Sequence, residues 1–360
     1  MIFTRYLYSK DEVELSFLDS LLKQKSLDEC YYWIYELYKS GFHHETWSLL
    51  WRIYYDFYGL TLPKMSQKII KNHNKWKKDK NIEFILDIVK NYFRYANVTT
   101  HTIFVLRIYY SERLVKALDL SLNELSLDNL SRNQKNKINM EHCIETNNNE
   151  GLSFYLKKLC KTDVEWVKTR FNIEINDLYN DLYHQILFNL MMINQTKKIY
   201  YKKVMNKEIK KVKETDKNYR YEGKYKDISY VYKTLANVRL YSISNNIGCF
   251  NLDRKNFNLK EMYWYHWEYF AYRSPIWKER FNKLDIVVDD ENKKIVFNNE
   301  DQEEEFYEEF NYEPDEQSKE VQEKSTHDIP KASLSDWINS TFTEKINFKI
   351  RRKMLYCGAK

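Results

Sequence analysis

Residues 26–59 read SLDECYYWIYELYKSGFHHETWSLLWRIYYDFYG, and this stretch decides the class of fold. Ser26 stands three residues before Glu29, the spacing at which a hydroxyl and a carboxylate each satisfy a free amide at a helix start. Gly41 falls where a left-handed residue ends a helix. The next helix runs from about His43 to Tyr58, carries Trp47, Leu50, Trp51, Tyr54 and Tyr58 on one face, and stops at Gly59. Two successive units ending in glycine, at 41 and 59, predict antiparallel helices stacked side by side. The repeat does not continue, so the expectation is an irregular stack.

The same reading extends outward in both directions. Ser9 with Glu12 repeats the capping-box spacing ahead of a stripe made by Val13, Phe17 and Leu21. Pro63 suits the first turn of a helix that is strongly basic through Lys80. Further helices are expected at about 81–95, 101–117 and 119–131, then from Thr162 with Glu165, and from about Asn176 to Asn194 with Leu178, Leu182, Ile186, Leu190 and Ile193 on the buried side. An aromatic helix follows around Glu261 to Tyr272. The one convincing strand pair flanks residues 289–293, with β-branched runs at 285–288 and 294–297.

Composition agrees. The chain has 360 residues, 43% hydrophobic, 31% charged and 16% aromatic, with six Gly and four Pro. A β-rich fold needs many more turn residues than that. The glycines stand alone at 41, 59, 151, 223, 248 and 358, which excludes a Walker loop and a dinucleotide fingerprint, since both need closely spaced glycines. The expected fold is therefore mainly α, an irregular stack of antiparallel helices with one small β-hairpin and an acidic, partly disordered C-terminal segment. At roughly 100–200 residues per domain, the divisions expected are a helical domain at 1–132, a polar Asn-rich loop at 133–151, a second helical domain at 152–298, an acidic linker at 299–330 and a basic tail at 331–360. Within the linker, Phe306, Tyr307 and Phe310 lie on a helical stretch that could dock.

The formal net charge of +6 hides a segmental pattern. Residues 197–226 hold twelve Lys or Arg against four acids, and residues 285–328 hold seventeen acids against four Lys. The basic block makes Lys197, Lys198, Lys202, Lys203, Lys210, Lys211 and Arg220 candidates for contact with nucleic-acid phosphate, joined by Arg351, Arg352 and Lys353 in the tail. The acidic segment could instead fold over the basic one and cancel its field. Among the aromatics, Trp264, Trp267, Tyr269 and Trp277 are candidates for an interaction surface; the competing account is that tyrosine stands in for leucine on half-buried faces, its ring covering apolar area and its hydroxyl wet.

Other constellations are weaker. Asp177, Asp181 and His184 share one face of the expected helix; with no second carboxylate-x-x-His elsewhere, a solvated face is favoured over a metal site. His43-His44-Glu45 reads as a helix start, and His142-Cys143 lacks a third orienting group. No His-Glu-x-x-His or Gly-x-Ser-x-Gly occurs. Five widely spaced cysteines without a C-x-x-C point to a reducing compartment and to no disulfide framework or zinc site. Without a signal-like opening or a run of about 20 apolar residues, the chain is expected to be soluble, cytoplasmic and not secreted. No cofactor and no catalytic residue are indicated.

Residues 1–14, MIFTRYLYSKDEVE, with 32–42, YWIYELYKSGF, resemble the start of uncharacterised proteins of giant nucleocytoplasmic large DNA viruses. Residues 265–272, YHWEYFAY, 275–281, PIWKERF, and 314–318, PDEQS, are similar to their C-terminal part. The resemblance implies a virus-encoded protein of the infected-cell cytoplasm and carries no activity with it. The function expected is that of a non-enzymatic helical scaffold for protein partners, with nucleic-acid binding through residues 197–226 as the alternative.

Overall fold

The computed structural model describes residues 1–112, 130–196, 250, 252–253, 258–310, 319–326 and 331–343. The chain opens in a hook, residues 1–9, closed by the bridge between Phe3 and Ser9 and turned by Leu7 at φ 54°. Helices α1 (Lys10–Leu22), α2 (Leu27–Lys39) and α3 (His43–Ile53) follow, and α3 widens into a π-turn, Tyr54–Tyr58. Next come α4 (Met65–Asp79), α5 (Glu83–Arg94), α6 (Thr102–Ile108), α7 (Arg132–Glu145), α8 (Asn149–Thr162), α9 (Val164–Phe171) and α10 (Leu182–Thr196). The C-terminal part holds α11 (Leu259–Tyr265), α12 (Trp267–Tyr272), α13 (Pro275–Phe281), the antiparallel pair β1 (Ile286–Asp289) and β2 (Lys294–Phe297), then α14 (Glu300–Phe310), α15 (Lys319–Thr326) and α16 (Leu334–Thr341). Among the described residues the architecture is mainly helical with one small hairpin, as expected.

Local signals explain most of these boundaries. The Ser26 hydroxyl accepts from the Glu29 amide at 3.0 Å, and Gly41 adopts φ 89°. A side chain at 41 would also collide with Pro275, whose Cβ would lie 2.5 Å from the added carbon, so this corner seats α13 on the α2–α3 junction. There Ile276 N–H donates to Ser40 O at 3.2 Å. Neighbouring helices pack as α1 on α2, α2 on α3 and α5, α4 on α5, and α7 on α8.

Several expectations are corrected. Residues 133–151 are no loop: Ser131 and Gln134 make a complete capping box, α7 runs through the Asn-rich stretch, and Asn136, Met140 and Cys143 face the core. Apolar residues three and four apart outweigh the polar composition there. The core residues, from the hook to Phe342, fall in one cluster. At α1 the Ser9 hydroxyl donates to Asp11 instead of capping, and at α9 the cap is Asp163, not Thr162. The aromatic helix breaks at His266 into α11 and α12, and part of the expected linker is helical as α15. Phe306 and Phe310 of α14 are buried, as their spacing predicts.

Tyrosines enter the core with their hydroxyls satisfied internally. Tyr58 donates to Tyr92 O and Tyr92 to Leu50 O, each at 2.8 Å, while Tyr38 donates to Lys80 O at 2.6 Å and accepts from the Trp76 indole at 2.9 Å. These rings tie helix to helix through backbone carbonyls, which leucine cannot do.

Where the hook meets α1, Asp11 is buried, and its Oδ2 accepts from the Asp253 amide at 2.7 Å. Burial, then the neighbouring Glu12, pushes this carboxyl up to about 7. The folded state thus keeps a proton that the unfolded chain loses near pH 4. That contribution is complete below about pH 4 and is lost as pH rises through about 7. Asp11→Asn is expected to remove this slope between pH 4 and 7, read from denaturation midpoints; parallel slopes in both proteins would refute the assignment.

Candidate functional site

Two polar features stand out, one inside the body and one on its surface. The inner one begins with the π-turn, in which Gly59 N–H reaches back to Tyr54 O at 2.7 Å. Such one-residue widenings of a helix often mark functional sites. This one buries Asp56 at 1% exposure. Arg107 on α6 grips it with two parallel bonds, Nε to Oδ1 at 2.9 Å and Nη2 to Oδ2 at 2.7 Å. From α10, His184 Nε2 approaches Oδ1 to 3.0 Å, and its Nδ1 lies 3.0 Å from the Tyr179 hydroxyl. Nearby, Ser153 donates to Leu106 O at 2.6 Å and meets the Tyr183 hydroxyl at 2.8 Å.

Burial alone would raise the Asp56 carboxyl, but the Arg107 charge and the contact with His184 outweigh it and hold the group well below the usual carboxylate range. The same pairing outweighs burial at Arg107 and drives its pKa up. The row of carboxylate, imidazole and phenol has the composition of a proton relay. The row is closed off from solvent, with His184 0% and Tyr179 4% exposed. The network is a latch joining the π-turn, α6 and α10.

Sequence reasoning misplaced these residues. Asp177, Asp181 and His184 do not share a helix face, because α10 begins at Leu182. Asp181 sits before the helix and accepts the His184 amide at 2.9 Å, which turns the imidazole inward, while Asp177 is exposed. Leu182 and Ile193, expected inside, are 39% and 36% exposed. The available signal was Asp181 itself, a strong N-cap residue three positions before His184. Asp56 and Arg107, 51 residues apart, carried none.

The other candidates divide cleanly. Lys197, Lys198, Lys202, Lys203, Lys210, Lys211, Arg220, Arg351, Arg352 and Lys353 lie outside the described residues. Of the candidate interaction aromatics, Trp267, Tyr269 and Trp277 belong to the core at 3%, 5% and 0% exposure, and Trp264 is half-buried. Their neighbours Phe270, Phe281 and Phe306 close over them. The exposed aromatic of that stretch is Tyr265, at 72%. Cys143 is buried, and burial pushes its thiol up to about 11, away from nucleophilic use. His43 and His44 pack against Tyr38 and Trp76 instead of capping α3. Among the described residues no group of three or more His, Cys, Asp or Glu could hold a metal ion, and no helix is long and apolar enough to cross a membrane.

The surface feature is α4. From 64 to 80 the chain has Lys64, Lys68, Lys71, Lys75, Lys77, Lys78 and Lys80 against one acid, Asp79, a net of +6 from seven minus one. Lys68 is taken by Asp87 at 3.0 Å. Lys64, Lys71, Lys75 and Lys78 fall within a narrow arc at 100° per residue, are exposed, and make no ion pair with a described residue. The opposite side buries Met65, Ile69, Asn72, His73 and Trp76. Burial, then Lys77, His44 and Lys80, pushes His73 down to about 4, so it is neutral at pH 7. Its Nδ1 can then accept the Trp51 indole N–H at 3.2 Å, with its ring stacked 4.1 Å from Trp47. The lysine face is thereby held on a fixed helix about 22 Å long.

No family model, no curated protein and no solved structure matches this chain.

Proposed function

We propose that the protein works by binding, and that the lysine face of α4 takes a nucleic-acid backbone. One observation carries this reading: four unpaired lysines aligned on a helix whose other side is pinned in the aromatic core. A fixed row of ammonium groups spanning about 22 Å matches several phosphates spaced about 3.4 Å apart along one strand of duplex DNA. The proposal keeps the nucleic-acid alternative raised by the sequence and adds a second basic element to residues 197–226. It is compatible with a virus-encoded protein of the infected-cell cytoplasm, as the terminal resemblances imply. A role as a scaffold for protein partners draws support from the hairpin, where Val287 and Val296, opposite each other in register, are 66% and 48% exposed.

The test is fluorescence anisotropy of the full chain with single- and double-stranded DNA and RNA over a salt series. Four phosphate contacts predict a log–log slope of about −3.6 on duplex DNA. Charge reversal in Lys71→Glu/Lys75→Glu/Lys78→Glu is expected to make the slope shallower by about 2.7. Absent salt-dependent binding, or an unchanged slope in the triple variant, would rule out α4 as the interface.

A further inference from the structure

Arg280, near the end of α13, is 7% exposed, and its guanidinium carbon lies 4.4 Å from the ring centre of Trp277 and 4.6 Å from that of Phe310. Among the described residues it makes no hydrogen bond or ion pair. Its N–H edge meets no acceptor among the described residues, although a guanidinium carries five donors.

The surroundings sharpen the deficit. The Trp277 indole donates to Thr4 O at 3.1 Å, which brings α13 against the hook at Arg5. Arg5 Nη2 pairs with Glu36 Oε2 at 3.1 Å, and Glu36 Oε1 accepts from the Tyr6 amide at 2.9 Å. Both oxygens of the buried Glu36 are thus engaged, and neither accepts from Arg280. Glu309 acts on Arg280 from an exposed position. Burial, then the charge of Arg5, pushes Arg280 down to about 10, which leaves it protonated at neutral pH.

We propose that Arg280, with Arg5 beside it, is a binding site for a small oxyanion, a phosphate or a carboxylate, at the junction of the hook, α13 and α14. The anion would meet the guanidinium edge with two parallel bonds, the geometry that arginine supplies and lysine does not.

The experiment is thermal denaturation of the full chain at constant pH and ionic strength, titrated with inorganic phosphate or with acetate against a chloride reference. A saturable rise in Tm beyond chloride is expected with at least one of them, and the more effective probe identifies phosphate or carboxylate as the ligand class. Arg280→Met is expected to lose the rise, since methionine offers the anion no donor. Arg280→Lys keeps the charge without the fork and is expected to bind at least about tenfold more weakly. The triple α4 variant is expected to keep the full rise, which separates this site from the lysine face. No rise beyond chloride would overturn the proposal. So would an undiminished rise in Arg280→Met or, should that variant not fold, in Arg280→Lys.

Discussion

Arg107→Met is expected to cost about 3–5 kcal/mol of folding stability, read from the midpoint and slope of urea denaturation. The loss arises less from the missing bonds than from what remains: Asp56 is 1% exposed and would be left with a charge whose bidentate partner is gone. Asp56→Leu/Arg107→Met removes both charges and is expected to recover most of the loss, since a buried ion pair is often replaceable by apolar side chains of similar size. The pH dependence follows from the depressed carboxyl. Its stabilisation is present above the ordinary aspartate value near 4 and is lost as pH falls toward the folded-state value. Acid sensitivity below pH 4 should therefore shrink in the double variant. A single-variant cost under about 1 kcal/mol, the range of a surface pair, would show that the latch is not what holds α6 and α10 to the π-turn.

Trp277→Ala is expected to be comparably damaging, at about 3–5 kcal/mol, and its effect should be localised. The indole is 0% exposed, donates to Thr4 O, and lies against Trp267, Phe281, Phe306 and Phe310. Truncation opens a cavity at the seam between the hook and the C-terminal helices. Hydrogen exchange should rise first in α11 to α14, while α7 and α8, packed on each other elsewhere, keep their protection. Trp277→Phe keeps much of the ring packing but loses the indole donor, at about 1 kcal/mol. Uniform loss of protection along the chain would contradict a seam held by this residue.

Much of the helical frame was legible before folding was considered, and the reasons are local. Ser26 with Glu29, Gly41 at a left-handed corner and the apolar stripe of α3 each act within one or two turns, so their meaning does not depend on distant residues. The hairpin was equally local, with β-branched runs on either side of a polar turn. Boundaries failed where composition was allowed to outvote periodicity, as in the Asn-rich α7, and where a cap was assigned one position early, as at Thr162 in place of Asp163. The widest consequence lies at the start of α10: at Leu182 it takes His184 off the expected solvated helix face and into a buried network.

The sequence by itself determined a mainly helical chain with one hairpin, without glycine-rich phosphate loops, and with a basic helix ahead of Lys80. Tertiary structure decided that Trp267, Tyr269 and Trp277 are core, that Asp56, Arg107 and His184 meet, and that Arg280 lies against Trp277 and Phe310. The physical reason is the range of the forces involved. Helix caps, turns and periodicity are set by residues within about one or two turns, whereas burial and charge pairing depend on which distant segments share a low-dielectric interior.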